Sequence, residues 1–114
     1  MSRLVLAFLA VLALAGCATS EISLHEQIVL VNEAITSSAL AAAAALDAGY
    51  ISVKEACVVH EYSRLASVIV DQAWAALFQG DHDNVEFYIQ KAREAMIGLS
   101  EEAQKRADYH CAGS

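Results

Sequence analysis

Residues 47–55 read Asp47-Ala48-Gly49-Tyr50-Ile51-Ser52-Val53-Lys54-Glu55, and the fold follows from what they end and what they begin. Gly49 is the residue type that closes a helix in the left-handed conformation, because it has no Cβ to clash there. Ser52 with Glu55 three residues on has the capping-box form, in which hydroxyl and carboxylate each satisfy a free backbone N–H. One helix therefore stops and another starts within a few residues, and a connection that short makes the two antiparallel neighbours.

The same grammar repeats outward from this turn. Upstream, Ser23-Leu24-His25-Glu26 has the capping-box form again. Leu24, Ile28, Val31, Ile35, Ala39, Ala42 and Leu46 then recur on one side of a helical wheel, which predicts a helix over about 23–48. Downstream, Val59, Tyr62, Ala66, Ile69, Val70, Ala73 and Leu77 form the stripe of a second helix over about 52–79, with Glu61, Arg64, Gln72 and Gln79 opposite and Gly80 as terminator. Asp81-His82-Asp83-Asn84 opens a third, with Asp81 or Asp83 as cap. Its stripe, Val85, Tyr88, Ile89, Ala92, Ala95, Met96, Leu99 and Ala103, predicts a helix over about 82–108. Glu86, Gln90, Arg93, Glu94, Glu101, Gln104 and Lys105 lie on its other side, and 111–114 should be a loose tail. The expected fold is all-α: a three-helix up-down-up antiparallel bundle over 23–110, because no helix here can bury its stripe alone. A tetratricopeptide-type solenoid fails on two counts, the missing repeat signature and too few helices to stack.

The amino terminus has a different character. Arg3 precedes an apolar run of 12 residues from Leu4 to Ala15, followed by Gly16 and Cys17. The run is short for a membrane span, which needs ~20 apolar residues, but fits a secretory signal. Leu14-Ala15-Gly16-Cys17 resembles the lipobox of bacterial lipoproteins. That resemblance implies a signal peptide at 1–16, expected as a helix ahead of the bundle, cut before Cys17. Cys17 would carry the lipid, a diacylglycerol on its sulfur and often a further acyl chain such as palmitate on the new amino terminus. Residues 17–22 would be a lipidated tether, and Ala18, in place of an aspartate, favours the outer membrane over the inner. Beyond residue 17 the chain is similar to small helical lipoproteins of bacterial or prophage type in pattern only. It resembles the murein lipoprotein only in its anchor, since Gly113-Ser114 stand where that family has the lysine joined to peptidoglycan.

Composition bounds the function classes. From Cys17 on there are 98 residues, with six basic against 14 acidic, a formal charge of −8. Such a surface repels nucleic acid and anionic headgroups. The sequence has no proline and is rich in alanine, as suits a helical domain. There is no Gly-rich phosphate loop, nucleophile elbow or catalytic triad with family spacing. A non-catalytic protein without cofactor is therefore expected.

Four features remain as candidates. Cys57 and Cys111 are left over after lipidation, and an oxidising periplasm would pair them. Counted from Gly80, Cys57 lies 23 residues back and Cys111 lies 31 forward. A straight third helix would overshoot by on the order of 12 Å at 1.5 Å per residue, so a bridge requires the third helix to end near Arg106 and the tail to fold back; otherwise two free thiols remain in an open tail. The same residues offer a rival metal reading, with Cys57, His60, His110 and Cys111 as a tetrahedral zinc set, although adjacent His-Cys is an unusual ligand spacing. Trp74 and Phe78 could form a docking patch, but rings on the second helix are better expected in the core, filling space left by the alanines at 39–45 of the first. The last is the outer face of the first helix, where Val29, Leu40, Ala43 and Ala44 accompany only Glu26, Glu33 and Asp47 as charges. A surface helix is normally polar there, so Val29, Leu40 and Ala44 are the candidate partner surface. The expected function is that of a lipid-anchored helical protein of the periplasm that binds or blocks another envelope protein, for example a receptor in superinfection exclusion. The alternatives are self-association into an envelope scaffold and a small zinc-binding module.

Overall fold

In a computed structural model, residues 22–113 are described, and they are all-α. Four helices follow in order: α1 (Leu24–Asp47), α2 (Val53–Phe78), α3 (His82–Met96) and α4 (Glu101–Cys111). α2 is the central element. It lies against α1, α3 and α4; α1 also reaches α3, while α3 and α4 barely meet.

The start signals act as their chemistry requires. Ser23 Oγ accepts from the Glu26 N–H at 3.2 Å. At α2 both halves of the capping box form, Ser52 Oγ accepting from the Glu55 N–H and Glu55 Oε1 from the Ser52 N–H, each at 3.1 Å. Asp81, not Asp83, caps α3, taking the Asn84 N–H on Oδ1 at 3.4 Å. Each such cap is worth about 1 kcal/mol.

The stop signals are three copies of one turn. After α1, Tyr50 N–H reaches Ala45 O and Gly49 N–H reaches Leu46 O. Asp81 and Gly80 repeat the pair on Ala76 and Leu77, and Leu99 and Gly98 repeat it on Glu94 and Ala95. This is the Schellman arrangement, which places its glycine at positive φ.

The third copy corrects the expected third helix. Residues 82–108 are not one helix: Gly98, at φ +78°, ends α3, and Ser100 caps a new helix by accepting from the Ala103 N–H at 3.3 Å. Gln104 Nε2 ties the two together by donating to Gly98 O at 2.7 Å. The periodic stripe runs through the break, but Leu99 sits in the turn itself and is 70% exposed instead of buried.

The core is built from Ile28, Val31 and Ile35 of α1, Leu65, Ala66, Val70, Ala73 and Ala76 of α2, Val85, Ile89, Ala92, Ala95 and Met96 of α3, and Ala103 of α4. Its large side chains are few, and Ile28 and Val85 are fully enclosed. Each such side chain stabilises by about 1.5–3 kcal/mol relative to its exposed state. Glu61, expected on the solvated side of α2, is only 5% exposed. α2 has neighbours on three flanks, so its buried arc is wider than one stripe.

Candidate functional site

The break at Gly98 resolves the length mismatch between the cysteines. α4 starts afresh after the turn and brings Cys111, at its last residue, back to α2. Cys57 and Cys111 form a disulfide, with Cα atoms 5.8 Å apart. Cys111 is thus a fully buried helical residue and not part of a loose tail, while Ala112 and Gly113 beyond it are exposed. The zinc reading is corrected by the same bond. Two sulfurs joined to each other are not thiolate ligands, and among the described residues no group of three or more His, Cys, Asp or Glu stands close enough to hold a metal. His60 and His110 are exposed, His110 lying edge-on to Tyr109 at 5.0 Å.

Two further contacts lie on this flank, and spacing did not announce them. Tyr62 packs its ring where a side chain on Gly98 would stand: a Cβ there would lie 2.5 Å from Tyr62 Cε2. Burial, and after it the Asp108 carboxylate, push the Tyr62 phenol above its ordinary value of 10.0. The fold therefore favours the neutral phenol, and that contribution is complete below pH 10 and lost as pH rises above it. One turn along α2 from Cys57, Glu61 has Oε1 3.5 Å from Arg64 Nη1, while its buried Oε2 has no hydrogen-bond partner among the described residues. An unpaired buried acceptor of this kind costs about 1–3 kcal/mol.

On the other flank, α1 and α2 enclose an open cleft of about 170 Å³ lined by Ala39, Ala42, Ala43, Leu46, Ala56, Val59 and His60. The expectation that Trp74 and Phe78 fill the space beside these alanines is not met. The rings sit at the opposite end of α1, where Trp74 meets His25 edge-on at 5.1 Å and stacks on Phe78 at 6.2 Å. Trp74 is half-buried and packs against the core, as the core reading expects, whereas Phe78 is 83% exposed and outside it.

The outer face of α1 is close to its sequence reading. Leu40 is 66% exposed, Ala43 and Ala44 are exposed, and Val29 is half-buried. α1 carries no Lys or Arg. Its length and composition alone would let it cross a membrane, but Ile28, Val31 and Ile35 are committed to the core. α4 contrasts with it, carrying surface ion pairs Glu101–Lys105 and Glu102–Arg106 on its outside. On α3, burial lowers the Arg93 guanidinium from its ordinary value.

Cys17, the signal peptide at 1–16 and the tether up to residue 21 lie outside the described residues. No known protein family, curated protein or solved structure matches the chain.

Proposed function

We propose that this protein is a lipid-anchored, non-catalytic helical domain of the bacterial cell envelope that binds or blocks another envelope protein. In this reading, residues 1–16 form a signal helix removed before Cys17, and lipid on Cys17 holds the domain at the outer membrane, facing the periplasm. Beyond it stands an up-down-up antiparallel bundle whose third limb is broken at Gly98. The observation that carries the binding role is the outer face of α1. Leu40 stands exposed among Ala43 and Ala44, on a helix whose only charged side chains are acidic. Alanine is tolerated on any exposed helix, but an exposed leucine amid small residues offers a partner apolar area to bury and close approach. The paired cysteines support an oxidising compartment.

The test has two parts. Radiolabelled fatty acid is expected to label the protein and to miss Cys17→Ser; label that persists removes the anchor. A photo-crosslinking residue at position 40 is expected to trap one envelope protein, and one at exposed Gln72 is not. If position 40 traps only a second copy of the chain, the protein is a self-associating scaffold instead. If it traps nothing, the α1 face is plain surface.

A further inference from the structure

We propose that His25, Trp74 and Phe78 form a contact for the lipid–water interface, seated on the bilayer at the end of the domain from which the chain leaves for Cys17. The proposal rests on the lipid-anchor reading and adds to it a second, non-covalent point of attachment that fixes which end of the domain faces the membrane.

The three rings belong to the first turn of α1 and the last turns of α2. They form one continuous cluster, Phe78 stacked on Trp74 and Trp74 edge-on to His25, with half-buried Leu24 and Leu77 packed against the core at the same end. Phe78 presents most of its ring to solvent, and the indole it rests on is itself only half covered. Phe87–Tyr88 and Tyr109–His110 are pairs of neighbours in sequence, whereas these three rings come together from two helices.

The bilayer is chosen as occupant by the tether. Only residues 18–23 separate Cys17 from Leu24. A fully extended segment of that length reaches no more than about 25 Å. Tyr50 and Val53, beyond the far end of the 24-residue α1, stand about another 35 Å away at 1.5 Å per residue. Of the exposed aromatics among the described residues, the cluster, and Phe87 in the second turn of α3, belong to the end that the anchor holds near the membrane surface, and Tyr50 and Tyr109 do not. An indole favours that level because it is apolar on one side and wet on the other, and the Phe78 ring adds apolar area beside it. Glu26, Asp81 and Asp83 are exposed around the same end. They keep the contact shallow and disfavour anionic headgroups, so zwitterionic lipid is the matching surface.

Trp74 is the sole tryptophan, and its emission reports the contact directly. The mature protein, with the mass of its N-terminal peptide recorded, is placed in phosphatidylcholine vesicles carrying bromine either high or low on the acyl chains. Shallow bromines are expected to quench Trp74 about twofold and deep bromines far less, as for a ring held at the interface. Phe78→Ser is expected to weaken the quenching, Tyr109→Ser at the remote end of α4 to leave it unchanged, and added phosphatidylglycerol to reduce it. A lipidated protein whose Trp74 emission is the same with and without bromine overturns the proposal and leaves the anchor standing. So does a blue shift without quenching, which means that a protein covers the rings. A Cys17 peptide without lipid overturns the anchor reading, and this contact with it.

Discussion

Two flanks of α2 are held by different means. Along α1, the N-terminal half brings isoleucine and valine into the core, but from Ala39 onward the seam is mostly alanine, with Leu46, against Ala56, Val59 and His60, and a cleft stays open. Along α4, the buried residues are only Ala103, Ala107 and Cys111, and the unpaired Glu61 carboxylate oxygen is a cost, yet that flank carries the disulfide and the Tyr62–Gly98 contact. Small side chains let helices approach closely but bury little area, so each weak seam needs another source of stability. α1 draws it from its own other half and α4 from a covalent bond. α4, at 11 residues, is shorter than the ~12–15 at which even good isolated helices become marginal.

Removing that bond is the largest blow to the contrast. The disulfide closes a loop of 54 residues, and chain entropy assigns a loop of that size about 4 kcal/mol. Cys57→Ser with Cys111→Ser is expected to lower stability by roughly that amount, read from the urea midpoint. Hydrogen exchange then separates the flanks. Amides of 101–111 should lose protection first, while those of 28–35 in α1 follow only with global unfolding. If both segments lose protection together, α4 is integral to the core and the two flanks do not differ in kind.

A smaller effect comes from the glycine that makes α4 possible. Gly98→Ala places a non-glycine residue at positive φ and drives its Cβ into the Tyr62 ring. Strain of about 1–2 kcal/mol and the displaced ring together suggest a loss of about 2–4 kcal/mol. Gly49→Ala has the same φ problem with nothing within 4 Å, so it should cost only the first part, about 1–2 kcal/mol. Equal losses at the two sites in thermal melts would mean that the Tyr62 contact contributes nothing.

Gly98 also marks where the sequence stopped being legible. Caps and stripes at Ser23, Ser52, Asp81, Gly49 and Gly80 combine a local signal with a change of helical face, so the two agree. At Gly98 they conflict. Val85 to Ala103 keeps helical spacing across the break, and a wheel does not register a turn that resumes in phase. The signal was present in Gly98 followed by Ser100 and two acids, the same stop-and-start grammar as at 49–55, with Ala103 in place of the capping-box glutamate. The 12 Å overshoot of Cys111 pointed to a fold-back but put it near Arg106, because the stripe hid the earlier break. The outer face of α1 was readable because one helix generates it. Phe78, Glu61 and the Tyr62–Gly98 contact depend on which flank each neighbour takes, and periodicity along a single helix does not carry that information.

The smallest effect tests the α1 flank directly. If the cleft is space that alanines leave unfilled, a longer side chain directed into it should stabilise the protein. Ala39 is half-buried at its edge, and Ala39→Leu adds apolar atoms without a β-branch to crowd the helix. Filling a cavity in this way commonly contributes about 0.5–2 kcal/mol. Ala103→Leu is the matched change on the other flank, where Ala103 is fully enclosed and overpacking should cost about 1–3 kcal/mol. Opposite signs in urea denaturation are therefore expected for the same substitution on two sides of α2. Should Ala39→Leu destabilise as Ala103→Leu does, the α1 seam is already close-packed, and the cleft is a surface fold with no free volume to fill.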